Sequence, residues 1–176
     1  KVTISRYYTP AGRCIQALDY WHKDADGKAV RTDASKYNAF KTKKGRTVYD
    51  GGGISPDIFV PLDTSNSTIY YLTLRYSGVF QQVAFDFVAN KRHEWSSIQE
   101  FTKEFETTKP LLQKLIAEGE KMKIPYNAAD YKRSEGLIRQ AMKAEIARQL
   151  FIEEGYFFIV ASYDKEVQKA LEYLRR

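Results

Sequence analysis

The feature that most limits the possible folds of this 176-residue chain is a change of hydrophobic period near Pro61. Before Pro61, short alternating segments rich in β-branched and aromatic residues predict strands, and six of the ten glycines lie there. After Pro61, apolar residues recur about every 3.6 residues, which predicts helices. We therefore expect an α+β protein, with a small β part over residues 1–62 and an all-α domain over residues 63–176.

The β part is expected to hold short strands joined by tight turns. Thr9-Pro10-Ala11-Gly12 has turn chemistry, because proline fixes φ at the first corner and glycine accepts a positive φ at the second. Residues 19–46 are interpreted as an irregular polar insertion with a tight turn at Asp26-Gly27. Strands are predicted at residues 1–8, 13–18, 47–49 and 54–60.

The all-α domain is expected to contain a series of amphipathic helices. A capping box at Ser96 and the pair Thr108 and Pro110 mark the starts of two of them. The longest helix is expected to end at Gly155, and the pattern leaves the state of residues 156–160 open. The predicted helices span residues 68–89, 96–106, 108–121, 131–154 and 164–174, and Asn127 with Asp130 caps a single turn.

Apolar stripes on two of these helices are expected to face the core. Glu145 and the pair Glu153-Glu154 lie on the longest helix, where we expect charged residues to occupy a solvated face. The stripe of the first helix consists of Ile69, Leu72, Tyr76, Val79, Phe80, Val83 and Phe87, and that of the longest helix consists of Ile138, Met142, Ile146 and Leu150.

The net charge of +6 does not indicate a nucleic-acid-binding protein. Residues 1–62 carry 11 Lys and Arg against 6 Asp and Glu, and residues 63–176 carry 17 against 16. The excess lies mainly in Lys41–Arg46, which is interpreted as a solvated turn, whereas nucleic-acid binders concentrate basic and aromatic residues on one face. No apolar run approaches the roughly 20 residues of a membrane span.

No metal or cofactor site is predicted. His22 and His93 are interpreted as surface or packing residues, since His93-Glu94 is not followed by a second histidine in metalloprotease spacing. Asp24-Ala-Asp26-Gly27 resembles the start of a calcium loop, but Ser35 stands where the twelfth-position glutamate is needed, so a turn is favoured.

The remaining candidates for chemistry also have ordinary structural interpretations. Gly51-Gly52-Gly53 lacks the Gly-Lys-Ser/Thr of a phosphate loop, and the glycines are expected to allow close backbone approach or a bulge. Cys14 is the one cysteine of the chain, and no histidine near it in sequence could activate it, so we expect a small apolar role. The residues of this chain therefore predict no catalytic constellation.

Two segments nevertheless carry a specific resemblance. Lys1-Val-Thr-Ile-Ser-Arg-Tyr-Tyr-Thr-Pro-Ala-Gly-Arg-Cys-Ile-Gln16, followed by Gly53-Ile-Ser-Pro-Asp57, resembles the carboxyl-terminal processing, or tail-specific, serine proteases. Thr42-Lys-Lys-Gly-Arg-Thr-Val-Tyr49 is similar to the form found in Bacteroides-type members. The helical domain is similar to extensions on those members, which is a weaker likeness.

The resemblance implies a parent enzyme that cleaves proteins near their C-termini with a Ser-Lys dyad. The serine attacks the scissile carbonyl, a neutral lysine of lowered pKa accepts its proton, and a backbone oxyanion hole stabilises the intermediate. In the family these groups and a PDZ module precede the Tyr-Tyr-Thr-Pro strand, so none maps onto this chain, and Lys1 is interpreted as the first residue of the strand.

The resemblance thus implies that this chain is the C-terminal portion of a periplasmic or cell-envelope endopeptidase and begins just beyond the active site. Its partners would be protein or peptide substrates of the parent enzyme, and we expect the chain alone to be inactive. The alternative is a non-enzymatic helical interaction module with a β-arm that pairs with another chain. In either case, unpaired strand edges favour a homodimer through the β segments.

Overall fold

A computed structural model of the protein describes residues 5–175, and in it the chain forms two compact units, Lys1–Phe59 and Val60–Arg176. The first unit contains short strands and the second contains helices, so the predicted α+β class is confirmed. The boundary between the units falls between Phe59 and Val60, whereas the sequence-based boundary lies after residue 62. The strands are β1 (Leu18–Lys23), β2 (Ala29–Arg31), β3 (Ala39–Lys41) and β4 (Thr47–Tyr49), and the α-helices are α1 (Ile69–Tyr76), α2 (Val79–Val88), α3 (Ile98–Glu104), α4 (Lys109–Lys121), α5 (Ala128–Tyr163) and α6 (Lys165–Leu174).

The β unit contains two small antiparallel sheets, β1 with β2 and β3 with β4. The β1–β2 connection turns at Asp24–Gly27, where the Gly27 N–H donates to the Asp24 carbonyl at 3.0 Å, as predicted for Asp26-Gly27. The β3–β4 connection turns at Thr42–Gly45 and contains the basic cluster. Residues 19–46 are therefore not irregular, since they contain most of β1, all of β2 and β3, and a short 3-10 helix at Ala34–Lys36.

Two of the predicted strands are wrong, and a third is reduced to one bridge. The turn at Thr9–Gly12 is present, but among the described residues only Tyr8 and Cys14 form a bridge across it, and no described strand extends the pair. Residues 13–17 are not strand, and the predicted strand at 54–60 is absent, where Pro56 removes a backbone donor. Residues 1–4 of the first predicted strand lie outside the described part of the chain. The strand predicted at 47–49 is confirmed as β4.

The first predicted helix is divided into α1 and α2. Gly78 has φ of 84° between them, a left-handed conformation that ends α1 and starts α2 in a new direction. As a consequence, the predicted stripe faces the core only in α2, where Val79, Phe80 and Val83 are buried. In α1 the core contacts are made by Tyr70 and Leu74 instead.

The remaining helices begin close to their predicted caps. α3 is capped by Ser97, whose side chain accepts from the Glu100 N–H, one residue later than predicted. The Asn127 side chain accepts from the Asp130 N–H, but it caps α5 itself rather than a separate turn. Asp164 caps α6 as predicted. α5 continues through Gly155 and residues 156–160, with non-helical backbone only at Phe151 and Ile152, so the predicted end at Gly155 is wrong.

The core of the helical unit forms where α5 packs against α1, α2 and α3, and α2 packs against α4. The predicted α5 stripe is confirmed, since Ile138, Met142 and Ile146 are fully buried and Leu150 is partly buried against them. An aromatic group closes one end, with Phe101 and Phe105 stacked at a centroid distance of 4.8 Å and Trp95 edge-on to both. Within the described residues, no helix combines the length and the apolarity needed to cross a membrane.

Candidate functional site

Arg13 joins the two segments of the β unit that carry the protease resemblance. Its Nε donates to the Tyr49 carbonyl at 2.7 Å, and its Nη2 donates to the Gly53 carbonyl at 2.9 Å. These bonds connect the Tyr-Tyr-Thr-Pro-x-Gly-Arg turn to the residues around the three glycines, about forty positions along the chain. A guanidinium suits this task because its planar fork presents several donors at once. The sequence order alone did not predict this contact.

The three glycines permit close packing, as the sequence predicted. A Cβ at Gly51 would lie 2.6 Å from the Tyr37 ring, and one at Gly52 would lie 2.8 Å from the Tyr37 hydroxyl oxygen. A Cβ at Gly53 would lie 3.2 Å from the Ala17 Cβ. The segment is therefore shaped for close approach to its neighbours rather than for phosphate binding.

The predicted turn at Asp24 is confirmed. The Asp24 Oδ1 atom accepts from the backbone N–H groups of Asp26 and Lys28, which uses this carboxylate to hold the turn. Within residues 5–175, no cluster of three or more His, Cys, Asp or Glu side chains could hold a metal ion. The basic residues Lys43 and Lys44 are exposed at the β3–β4 turn, and Arg46 pairs with Asp57 at 2.6 Å.

A cleft of about 750 Å³ in the β unit is lined in part by His22, which pairs with Asp19. His22 Nδ1 lies 2.5 Å from Asp19 Oδ2, and hydrogen bonds from His22 and from the Trp21 N–H lower the pKa of Asp19 to about 2. Ser5 also lines the cleft, but within residues 5–175 no hydrogen bond joins its hydroxyl to His22. Cys14 contacts the Gln16 amide oxygen at 3.7 Å rather than a histidine. These residues therefore do not form a nucleophile activated by a base.

The helical unit contains a buried charge that sequence reasoning missed. Glu145, expected on a solvated face, has no exposed side-chain surface. Its Oε1 accepts from Arg75 Nη1 at 3.2 Å and from Gln81 Nε2 at 3.3 Å, while its Oε2 accepts from Arg148 Nη1 at 3.3 Å. A buried carboxylate is tolerated when cations and hydrogen-bond donors surround it. Burial raises the pKa of Glu145, and Arg148 and Arg75 oppose that effect.

Both arginines also hold Tyr156, which follows the kink in α5. Arg75 Nη2 donates to the Tyr156 hydroxyl at 2.5 Å, and the Arg148 guanidinium lies 3.9 Å from the centre of the Tyr156 ring. We call Arg75, Gln81, Glu145, Arg148 and Tyr156 the Glu145 cluster. It connects α1 and α2 to the parts of α5 on both sides of the kink.

The kink has a strained backbone. Ile152 has φ of 53° and ψ of −154°, a region that is essentially restricted to glycine. The Ile152 side chain is 75% exposed, so little burial compensates the strain locally. The compensation comes from the Glu145 cluster and from Ile159, which is fully buried beyond the kink.

Comparison with known protein families gives a match within the helical unit. Residues 70–152 match the model of a family of unknown function (DUF8443), and the match ends at the kink residue Ile152. No curated protein and no solved structure matches the chain. The similarity thus covers the helices from α1 to the kink in α5, and it assigns no activity.

Proposed function

We propose that this chain is the C-terminal portion of a tail-specific serine endopeptidase of the periplasm or cell envelope. The observation that carries the proposal is the pair of segments 1–16 and 42–57, which have the family's residues in the family's order. Arg13 supports it, because its bonds to Tyr49 and Gly53 give the two segments a physical reason to occur together. In this proposal the Ser-Lys dyad would lie before residue 1, as in the family that the two segments resemble.

In this proposal the β unit completes the catalytic domain and supplies no reacting group. Several apolar side chains of the unit are exposed, among them Tyr7, Ile54 and Phe59. In this proposal the preceding part of the catalytic domain would cover them. The role of Arg13 is positioning. By holding the Thr9–Gly12 turn against the glycine segment, Arg13 would keep the β unit in position beside the dyad. Small displacements of reacting groups lower the rate of catalysis strongly.

The test is to determine the reading frame before residue 1 and to assay its full product. We expect an upstream serine and a Gly-Lys-Gly segment, and hydrolysis of an unfolded protein with an apolar C-terminus. In the full product, Arg13→Ala should lower kcat/KM at least tenfold, whereas Arg31→Ala, which changes an exposed arginine of β2, should leave it unchanged. The 176-residue chain alone should hydrolyse nothing.

Three results would contradict the proposal. They are a reading frame without the two upstream motifs, a full product without peptidase activity, and turnover by the 176-residue chain itself. Equal effects of Arg13→Ala and Arg31→Ala would remove the positioning role while leaving the enzyme class intact.

A second candidate is a non-enzymatic interaction module with a β-arm. The favouring observation is that both described sheets have two strands, so each strand presents an open edge. Two copies could pair through these edges or through the segment around Tyr8, which forms an isolated bridge to Cys14. Light scattering should then show a dimer that Tyr8→Pro weakens, because proline removes a backbone donor. A monomer at all concentrations would exclude this pairing.

A further inference from the structure

The outer face of α1 is apolar, although it has no partner within the described helical unit. Ile69 is 80% exposed and Tyr76 is 85% exposed, and Leu72 lies between them on the same face. Together with the exposed Met122 at the end of α4, they border an open depression of about 670 Å³. The i, i+3, i+7 spacing of the α1 residues forms a ridge of the kind that packs into the groove of another helix.

A lysine stands at the edge of this depression in a backbone conformation that favours glycine. Lys123 has φ of 63°, and the Ile124 N–H donates to the Gly119 carbonyl at 3.0 Å, which is the Schellman ending of a helix. Glycine or asparagine normally occupies this position. The chain thus keeps a lysine side chain at a position where glycine would avoid the steric cost of the positive φ.

The depression is also unbalanced in charge. Lys123 is exposed and forms no ion pair within residues 5–175, and none of the residues that line the depression is acidic. The nearby Lys121 differs, because it pairs with Glu118 at 2.7 Å. A bound partner with a carboxylate next to apolar side chains would complement both the apolar face of α1 and the charge of Lys123.

We propose that this surface binds an amphipathic helix of another protein that carries an acidic residue next to its apolar stripe. The size of the patch argues for such an occupant. Four exposed side chains amount to a few hundred Å², whereas each partner of a stable protein complex buries about 800 Å². α1 is eight residues long, so it offers about 12 Å of length, which matches two turns of a docked helix.

The experiment is a selection from a displayed library of random 16-residue peptides on the immobilised 176-residue chain. The selected peptides should share apolar residues at i, i+3 or i+4, and i+7 together with Asp or Glu. Leu72→Asp should abolish the enrichment. Lys123→Glu should change the preferred charged residue from acidic to basic. Leu174→Asp, on the exposed part of α6 outside the depression, is the matched control and should select the same peptides as the wild type.

Lys123→Gly separates binding from folding. It should weaken binding of the best acidic peptide at least fivefold, measured by fluorescence anisotropy at low ionic strength, while raising the urea midpoint of unfolding. The proposal is overturned if the wild type enriches no peptide family, if Leu72→Asp enriches the same family, or if Lys123→Glu keeps the acidic preference. A wild-type dimer that Leu72→Asp converts to a monomer would also overturn it, because a second copy would then occupy the surface.

Discussion

Replacing Glu145 by alanine is the most direct test of the Glu145 cluster. The substitution removes a fully buried carboxylate and leaves Arg75 and Arg148 without their shared anion. Breaking a buried ion pair from one side costs about 3–5 kcal/mol. The two arginine side chains remain 25% and 28% exposed, so water can hydrate them in part, and we expect a loss near the lower end, about 3 kcal/mol.

The assay is urea unfolding of the full chain followed by circular dichroism at the helical minimum. The matched control is Glu153→Ala, because Glu153 also pairs with Arg148, at 3.3 Å, but its side chain is 65% exposed. An exposed pair contributes little, so the control should change the unfolding free energy by less than about 1 kcal/mol. A loss below about 1 kcal/mol for Glu145→Ala, or equal losses for both variants, would refute the reasoning.

Three further outcomes are expected. Burial raises the pKa of Glu145 above its ordinary 4.5, so as pH rises the Glu145 carboxyl ionises in the unfolded chain before it ionises in the folded chain. The free energy of unfolding of the wild type, measured by urea titration, should therefore fall relative to that of Glu145→Gln from pH 4.5 upward through the raised pKa. Ile152→Gly should raise the unfolding free energy by about 1 kcal/mol in the same urea assay, since it relieves strain and loses little burial. Gly155→Ala should lower the thermal midpoint and cost about 2–3 kcal/mol of unfolding free energy, because its Cβ would lie 2.5 Å from the Ala147 carbonyl oxygen. Gly136→Ala, where the added Cβ meets open space, should raise the thermal midpoint.

The sequence predicted those features of the fold that depend on neighbouring residues. Thr68 and Asp164 were placed at helix starts, and Asn127 was predicted as a cap, although of a separate turn rather than of α5. Each of these side chains accepts from a backbone N–H within the first turn of a helix. A cap needs only a short polar side chain and the backbone that follows it, so a local pattern is sufficient. The turns at Gly12 and Gly27 were predictable for the same reason.

The division of the first helix and the kink in α5 were not predictable in this way. In an uninterrupted helix, Ile159 would lie about 140° around the axis from Ile146, at 100° per residue. The kink at Phe151 and Ile152 brings both residues into one core. The helical pattern alone could not show this, because the backbone strain is compensated by contacts with α1 and α2 and not by local propensity.

Tertiary structure alone decided which of these groups are buried and which are exposed. The same carboxylate would be solvated on an isolated helix, and it is buried at position 145 because Arg75, seventy residues earlier, donates to it. Likewise, the helical spacing of Ile69 and Tyr76 is the same whether their face of α1 is buried or exposed. This face is exposed because Tyr70 and Leu74, on the other side of α1, pack into the core. Hydrophobic periodicity determines that an apolar face exists, but which surface covers it depends on elements distant in sequence.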